Sequence, residues 1–213
     1  MRYERKYRID GLDKFGLESM ILAHPAALGV AFSERRINNI YFDTPDWGFA
    51  RENVNGVASR TKIRVRWYGE GVDLIQKPVL EIKSKSSLLG DKTLIALSDC
   101  QWTDLPAKVN EALLQRFPDQ AFQPALTNTY RRSYYVSMDG RFRLTVDDDM
   151  TYGAFLPWHF STPFLDTGLV VELKYESAEE STADEIARFL GLRLTKHSKY
   201  LRGLSVVYET AVF

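Results

Sequence analysis

The 213-residue chain is poor in the features that usually betray a function. It has one cysteine, Cys100, so no internal disulfide framework can form. It has no net charge, because 28 Lys and Arg meet 28 Asp and Glu. That balance argues against a broadly basic nucleic-acid-binding surface and against an acidic disordered chain. No stretch approaches the roughly 18 unbroken apolar residues of a membrane-spanning helix. The start, Met1-Arg2-Tyr3-Glu4-Arg5-Lys6-Tyr7, lacks the apolar segment of a secretory signal. There is no Walker-type glycine loop, no internal repeat and no Gly/Ser/Pro linker. One domain over residues 1–213 is expected, in the cytoplasm, with a membrane-bound partner left open.

What is present is ordinary in amount and unusual in arrangement. Hydrophobic residues make up 45% and charged residues 26%, as in a globular protein, and the 13% aromatic share favours sheet. Alternating patterns predict strands over residues 2–9, 36–43, 59–68, 79–85, 128–138, 141–147 and 168–175. Less regular patterns mark residues 93–97 and 151–156. Asp139-Gly140 is a hairpin signal between two of these strands. Helical spacing predicts accessory helices over 12–24, 106–117, 181–190 and 199–210. The expected class is α+β, with about eight antiparallel strands, enough to close a barrel, decorated by helices.

Antiparallel strands usually place apolar residues inward and polar ones outward. Here the polar members are bulky and charged. Lys62, Arg64 and Arg66 share one face, opposite Ile63, Val65 and Trp67. Glu81, Lys83 and Lys85 oppose Leu80 and Ile82; Glu172 and Lys174 oppose Val171, Leu173 and Tyr175. Glu4 with Lys6, and Arg143 with Thr145 and Asp147, repeat the pattern. A solvated outer face explains any one strand, but five such strands point to a charged interior with helices over the apolar side. Unpaired buried charges are costly, so that interior needs an occupant. Arginine forks and lysines facing a few carboxylates suit a polyanion with a hard divalent cation.

An ordered set of short motifs then becomes informative. Glu4-Arg5-Lys6-Tyr7, Tyr41-Phe42-Asp43-Thr44-Pro45, Lys62-Ile63-Arg64-Val65-Arg66-Trp67-Tyr68-Gly69 and Leu80-Glu81-Ile82-Lys83 occur in that order. Tyr130-Arg131-Arg132, Arg143-Leu144-Thr145-Val146-Asp147, Val171-Glu172-Leu173-Lys174 and Ser198-Lys199-Tyr200 follow. Together they resemble the VTC (vacuolar transporter chaperone) domain of the triphosphate tunnel metalloenzyme superfamily, over residues 1–207. The resemblance implies an eight-stranded antiparallel barrel forming a tunnel with a charged interior. It implies synthesis of inorganic polyphosphate from ATP with Mn²⁺ or Mg²⁺, in a polyphosphate polymerase. It implies phosphate contacts from Lys6, Arg64, Arg66, Lys83, Arg132, Arg143 and Lys199, hydrogen bonds from Tyr130 and Ser198, and metal binding by Glu172.

The remaining residues of the charged face carry alternatives. Lys62, Lys85 and Lys174 are expected either to bind substrate or to end in solvent. Glu4 is a metal ligand or a group that orients a cation. Glu81 is a second metal ligand or the cross-strand partner of an arginine. The wider superfamily starts with Glu-x-Glu-x-Lys; here Arg2 takes the first position, which fits the polymerase branch better than a two-metal hydrolase. The expected partners are ATP and polyphosphate, without nucleic acid. Hydrolysis of triphosphate or nucleotide, and binding without turnover, remain as alternatives.

Overall fold

A computed structural model describes residues 2–71, 74–86, 89–156 and 163–208. In chain order the elements are β1 (Arg2–Ile9), α1 (Lys14–Leu22), β2 (Gly29–Asp43), α2 (Gly48–Val54), β3 (Ser59–Tyr68), β4 (Leu74–Ile75), β5 (Val79–Ser86), β6 (Leu89–Ala96) and β7 (Cys100–Gln101). Then follow α3 (Leu105–Leu113), β8 (Gln123–Val136), β9 (Arg143–Gly153), β10 (Phe164–Asp166), β11 (Leu169–Glu176), α4 (Glu180–Phe189) and α5 (Lys199–Val207). The class is α+β, dominated by antiparallel sheet. One nine-stranded sheet has the order β1-β11-β9-β8-β2-β3-β5-β6, with β10 on β9, and β4 pairs with β7 in a second small sheet. Among the described residues no pairing joins β6 back to β1, so a closed eight-stranded barrel is not what the strand pairings display.

The chain divides into two compact units. The first comprises Met1–Arg36, Tyr130–Met150 and Leu165–His197; the second comprises Ile37–Thr129, Thr151–Phe164 and Ser198–Phe213. In the first unit, Tyr7, Leu144, Val146, Val171 and Leu173 form the apolar face of β1, β9 and β11. Leu17 and Ile21 of α1 and Ala183, Ile186 and Ala187 of α4 cover it. In the second unit Ile63, Val65 and Trp67 of β3 pack with Leu80 and Ile82 of β5 under Leu105, Val109 and Leu113 of α3. The helices therefore bury the apolar side of the strands, and the charged side is left to other partners. Each fully buried aliphatic side chain is worth about 1.5–3 kcal/mol before entropy is counted, so strand parity is strongly enforced.

The caps are legible in local chemistry. Asp13 accepts from the backbone N–H of Gly16 at 2.7 Å and opens α1. Pro106 stands in the first turn of α3, where its missing N–H costs nothing. Gly140 turns the chain between β8 and β9 with φ +73°, and Asp139 accepts from the backbone N–H of Arg141 at 3.0 Å.

The last helix behaves differently from the others. Ser198 caps α5 by accepting from the backbone N–H of Leu201. α5 packs on Tyr41 and Ala50 of the second unit together with Leu126 and Tyr152. Tyr41 lies on the charged parity of β2, directly opposite Arg64 in register. Gly203 permits this approach: a Cβ there would lie 2.3 Å from Leu126 Cδ2 and 2.6 Å from Tyr152 Cδ1. The expected helix ran to residue 210; the observed one ends at Val207, and residues beyond 208 lie outside the described ones.

Candidate functional site

The second unit carries a dense cationic face. Directly opposed residues of antiparallel strands project to the same side. The register pairs Arg60 with Lys85, Lys62 with Lys83, and Arg64 with Glu81 across β3 and β5. Across β5 and β6 it pairs Glu81 with Leu94 and Lys83 with Lys92. Among the described residues of these three strands, the face holds Arg60, Lys62, Arg64, Arg66, Lys83, Lys85 and Lys92 against one carboxylate, Glu81.

Glu81 is shared among several of these cations. Arg64 donates to its Oε2 through Nε at 2.8 Å and Nη2 at 2.6 Å. Lys92 Nζ lies 3.3 Å from Oε1, and Arg66 Nη1 lies 3.9 Å away. Burial would raise the pKa of this carboxyl, but Arg64 and Arg66 outweigh it and hold the value at about 2. Of the two readings the sequence left open for Glu81, the cross-strand partner of an arginine is the geometry found. Arg66 Nε also donates to Asn39 Oδ1 at 3.0 Å, and Arg64 Nη1 reaches the Tyr41 hydroxyl at 3.5 Å.

The start of α5 adds to this face. Lys62 Nζ donates to Ser198 Oγ at 3.0 Å, which ties the helix cap to β3. Lys199 is buried, with 9% of its surface exposed. Tyr200 stacks on Tyr41, ring centroids 4.9 Å apart, and donates through its hydroxyl to Asp43 Oδ2 at 2.5 Å. Asp43 is fully buried and also accepts from the backbone N–H groups of Phe49 and Ala50, each at 2.9 Å. One carboxylate thus anchors α2 and α5 and fixes where Ser198 and Lys199 stand. Lys83 and Lys85 are exposed on the same face.

The first unit holds a different cluster. Lys6 Nζ lies 3.1 Å from Glu4 Oε1 and 3.2 Å from Glu172 Oε1. Lys174 Nζ lies 3.4 Å from Glu4 Oε2 and 3.8 Å from Glu172 Oε2. Burial and the neighbouring Glu172 push the Glu4 pKa up, but Lys6 and Lys174 bring it below the ordinary value. Burial alone would lower the Lys6 pKa, yet Glu172 and Glu4 raise it. Arg132 pairs with the fully buried Asp147 through both Nε and Nη2, the latter at 2.7 Å, and its Nη2 lies 3.7 Å from Glu172 Oε2. Its guanidinium sits 5.3 Å from the centroid of the Tyr130 ring. Arg143 is exposed, opposite Lys174 in register. Glu4, Lys6, Arg132, Glu172 and Lys174 are therefore brought into one network, with Tyr130 under it.

The donor chemistry of this network fits a hard divalent cation. Glu4 and Glu172 present carboxylate oxygens around the same two lysines. The buried Thr145 Oγ1, opposite Glu172 in register, has no hydrogen-bond partner among the described residues. Magnesium is commonly held by one or two carboxylates, with water and phosphate oxygens completing the shell. Among the described residues no group of three or more His, Cys, Asp or Glu converges as a ready-made metal cage. The pair fits a metal that arrives with a phosphate ligand.

Some members of these networks were missed in the sequence. Lys92 escaped because the expected strand began at residue 93, one position beyond it. Asn39, Tyr41 and Asp43 escaped because neutral or lone acidic residues on β2 do not announce a charged face, although they share its parity.

Comparison with known proteins follows the same outline. A sequence-family model described as the VTC domain matches residues 1–208. No curated protein matches. Among solved structures, one is a proposed adenylyl cyclase from Hippeastrum, described as having a dominant triphosphatase activity. It aligns with a TM-score of 0.56 and 13% identity, covering 97% of each chain. A protein from Pyrococcus horikoshii aligns with a TM-score of 0.54 and 14% identity over 99% of each chain. A proposed adenylate cyclase from Vibrio parahaemolyticus aligns at 0.53 and 13%, covering 93% of this chain and 95% of that one. At such identities these likenesses bear on the fold alone. Among the described residues no helix is long and apolar enough to cross a membrane.

Proposed function

Because the chain belongs to the VTC domain family, we propose that it is a metal-assisted phosphotransferase that builds inorganic polyphosphate from ATP. The observation that supports this reading most is the cationic face of β3, β5 and β6, where among the described residues of these strands seven basic residues meet one carboxylate. Such a face is costly when empty of anions and suits a chain of phosphates. The tunnel that the family resemblance implies is part of the reading, as are a cytoplasmic location and partners limited to ATP and polyphosphate.

Phosphoryl transfer depends on positioning and charge neutralisation more than on covalent chemistry. Arg64 and Arg66 grip phosphate oxygens as forks, while Lys62, Lys83, Lys85 and Lys199 supply point charges and Ser198 a hydroxyl. A terminal phosphate oxygen of the acceptor attacks the γ-phosphorus in line. The new P–O bond forms as the bond to the β–γ bridging oxygen breaks, and the electron pair leaves on ADP. The acceptor is already anionic, so no general base is needed. Lys6, Arg132, Arg143 and Lys174 carry further phosphate contacts, with Tyr130 supporting Arg132. Glu172 and Glu4 would hold Mn²⁺ or Mg²⁺, which when bound neutralises phosphate charge.

The test is incubation of the purified protein with ATP and Mn²⁺, followed by assays for polymer and for free phosphate. Long chains are the expected product. Free phosphate without polymer would instead establish a triphosphatase, a second reading that the paired carboxylates Glu4 and Glu172 keep open, since water could replace the phosphate acceptor. Binding without either product would establish a non-catalytic subunit. Arg64→Ala should lower synthesis about a hundredfold or more, the scale for removing a donor to transition-state charge, and should lower the melting temperature without unfolding the protein, because Glu81 loses its nearest cation. Near-normal polymer yield from that variant would remove Arg64 from the reaction.

A further inference from the structure

We propose that Phe32, Arg35 and Tyr134 form a stacking site for the base of the nucleotide, beside the phosphate contacts of the first unit. The inference rests on the reading given under Proposed function and adds to it how the nucleoside end of ATP is held.

The side on which these residues stand follows from β8. The hydroxyls of Ser133 and Tyr135 donate to Glu18 of α1, at 3.2 and 2.7 Å, so these two residues face the helix. Successive strand residues point to opposite faces, which puts Tyr134 on the other side, together with Arg132 and Tyr130. Arg132 on that side lies 3.7 Å from Glu172 and 5.3 Å from the centroid of the Tyr130 ring. Tyr134 is therefore one same-face step, about 7 Å, from Arg132 along the strand.

Two residues of β2 meet Tyr134 there. The Phe32 ring stands edge-on to the Tyr134 ring, with centroids 5.9 Å apart and planes at 89°. The Arg35 guanidinium lies 5.8 Å from the centroid of Phe32 and 5.7 Å from that of Tyr134. All three residues belong to the first unit. Phe32 is 60% exposed, so its ring is not spent on a core contact; Arg35 is exposed and Tyr134 half-buried. A single exposed apolar side chain is ordinary. Three flat groups converging on the charged side of a sheet suit a nucleobase, because aromatic rings and guanidinium planes both stack on its π-face. One step away, Arg132, Lys6 and Glu172 supply the contacts proposed for phosphate and metal. A nucleotide carries its base and its phosphates in the same order, at two ends of one ribose.

Affinities for ATP and for inorganic triphosphate should be measured on wild type, Phe32→Ala, Phe32→Trp and Arg35→Lys. Phe32→Ala should weaken ATP binding about tenfold, within the range for removing one stacking ring, and leave triphosphate affinity unchanged within twofold. Phe32→Trp should keep the ATP affinity. Arg35→Lys retains the charge and removes the plane, so it should weaken ATP about threefold and spare triphosphate. Phe32→Ala with equal losses for both ligands, or with no loss for ATP, would overturn the stacking site, as would Phe32→Trp with as large a loss as Phe32→Ala. Wild-type protein that bound neither ligand would instead defeat the proposed function on which the site rests, and the two failures are distinguishable.

Discussion

The two units organise charge in opposite ways. In the first, acids and bases alternate across the strands: Lys6 and Lys174 each approach both Glu4 and Glu172, and Arg132 clasps Asp147. In the second, β3, β5 and β6 place cations opposite cations, and Glu81 is divided among Arg64, Lys92 and Arg66. A network of the first kind is satisfied by its own members. On a face of the second kind cations outnumber acids among the described residues of the paired strands, so a bound anion is expected to add stability. The contrast separates a region suited to holding a hard cation from a region suited to gripping an anion.

The largest effect should come from the self-satisfied network. Asp147→Ala would leave the Arg132 guanidinium without its buried carboxylate and should cost about 3–5 kcal/mol by chemical denaturation. Added triphosphate should not restore that loss. Full rescue by triphosphate would mean that the first unit is as dependent on anions as the second, and the contrast would fail.

A somewhat smaller effect is expected in acid. The Glu81 carboxyl ordinarily titrates near 4.5 and is held at about 2 in the folded protein. Its ion pairs therefore contribute in full above about pH 4.5, and the contribution is lost as pH falls toward 2. The amount is on the order of 3 kcal/mol. Glu81→Gln should be less stable at neutral pH, should lose less stability between those two pH values, and should be stabilised by triphosphate more than wild type is. An unchanged acid profile would show that Glu81 is not the counter-charge of this face.

The smallest effect concerns how α5 is held. Gly203→Ala places a methyl group inside the contact with Leu126 and Tyr152 and should cost about 1–3 kcal/mol. It should weaken triphosphate binding through Ser198 and Lys199 and leave the Glu4–Lys6–Glu172 network untouched. Thermal melts combined with triphosphate titration would check both halves of this statement.

Much of the architecture is readable from the chain. The limits of β1 and β3 coincide with the expected 2–9 and 59–68, because strict alternation continues to each end. β2 begins at Gly29 and not at the expected 36, since most of residues 29–35 are exposed and show no inward pattern. β4, β7 and β10 span only two or three residues, too few for any period to register. α2 has seven residues and depends on the Asp43 carboxylate for its first turn, a contact that no helical pattern encodes.

The same division runs through the site. Alternation is a local property: successive side chains on a strand point to opposite faces, so the identity of each residue is enough to assign Arg64, Arg66, Lys83 and Glu172 to a charged face. Which charge meets which is not local. Glu81 belongs to Arg64 because two strands pair in one register, and a shift of one residue would have turned every one of these side chains to the opposite face. The chain's equal numbers of acids and bases do not reveal that one face of β3, β5 and β6 gathers cations while the network around Glu4 and Glu172 pairs its charges. That distribution follows from the pairing of distant strands, whose register is enforced by burial of the apolar side.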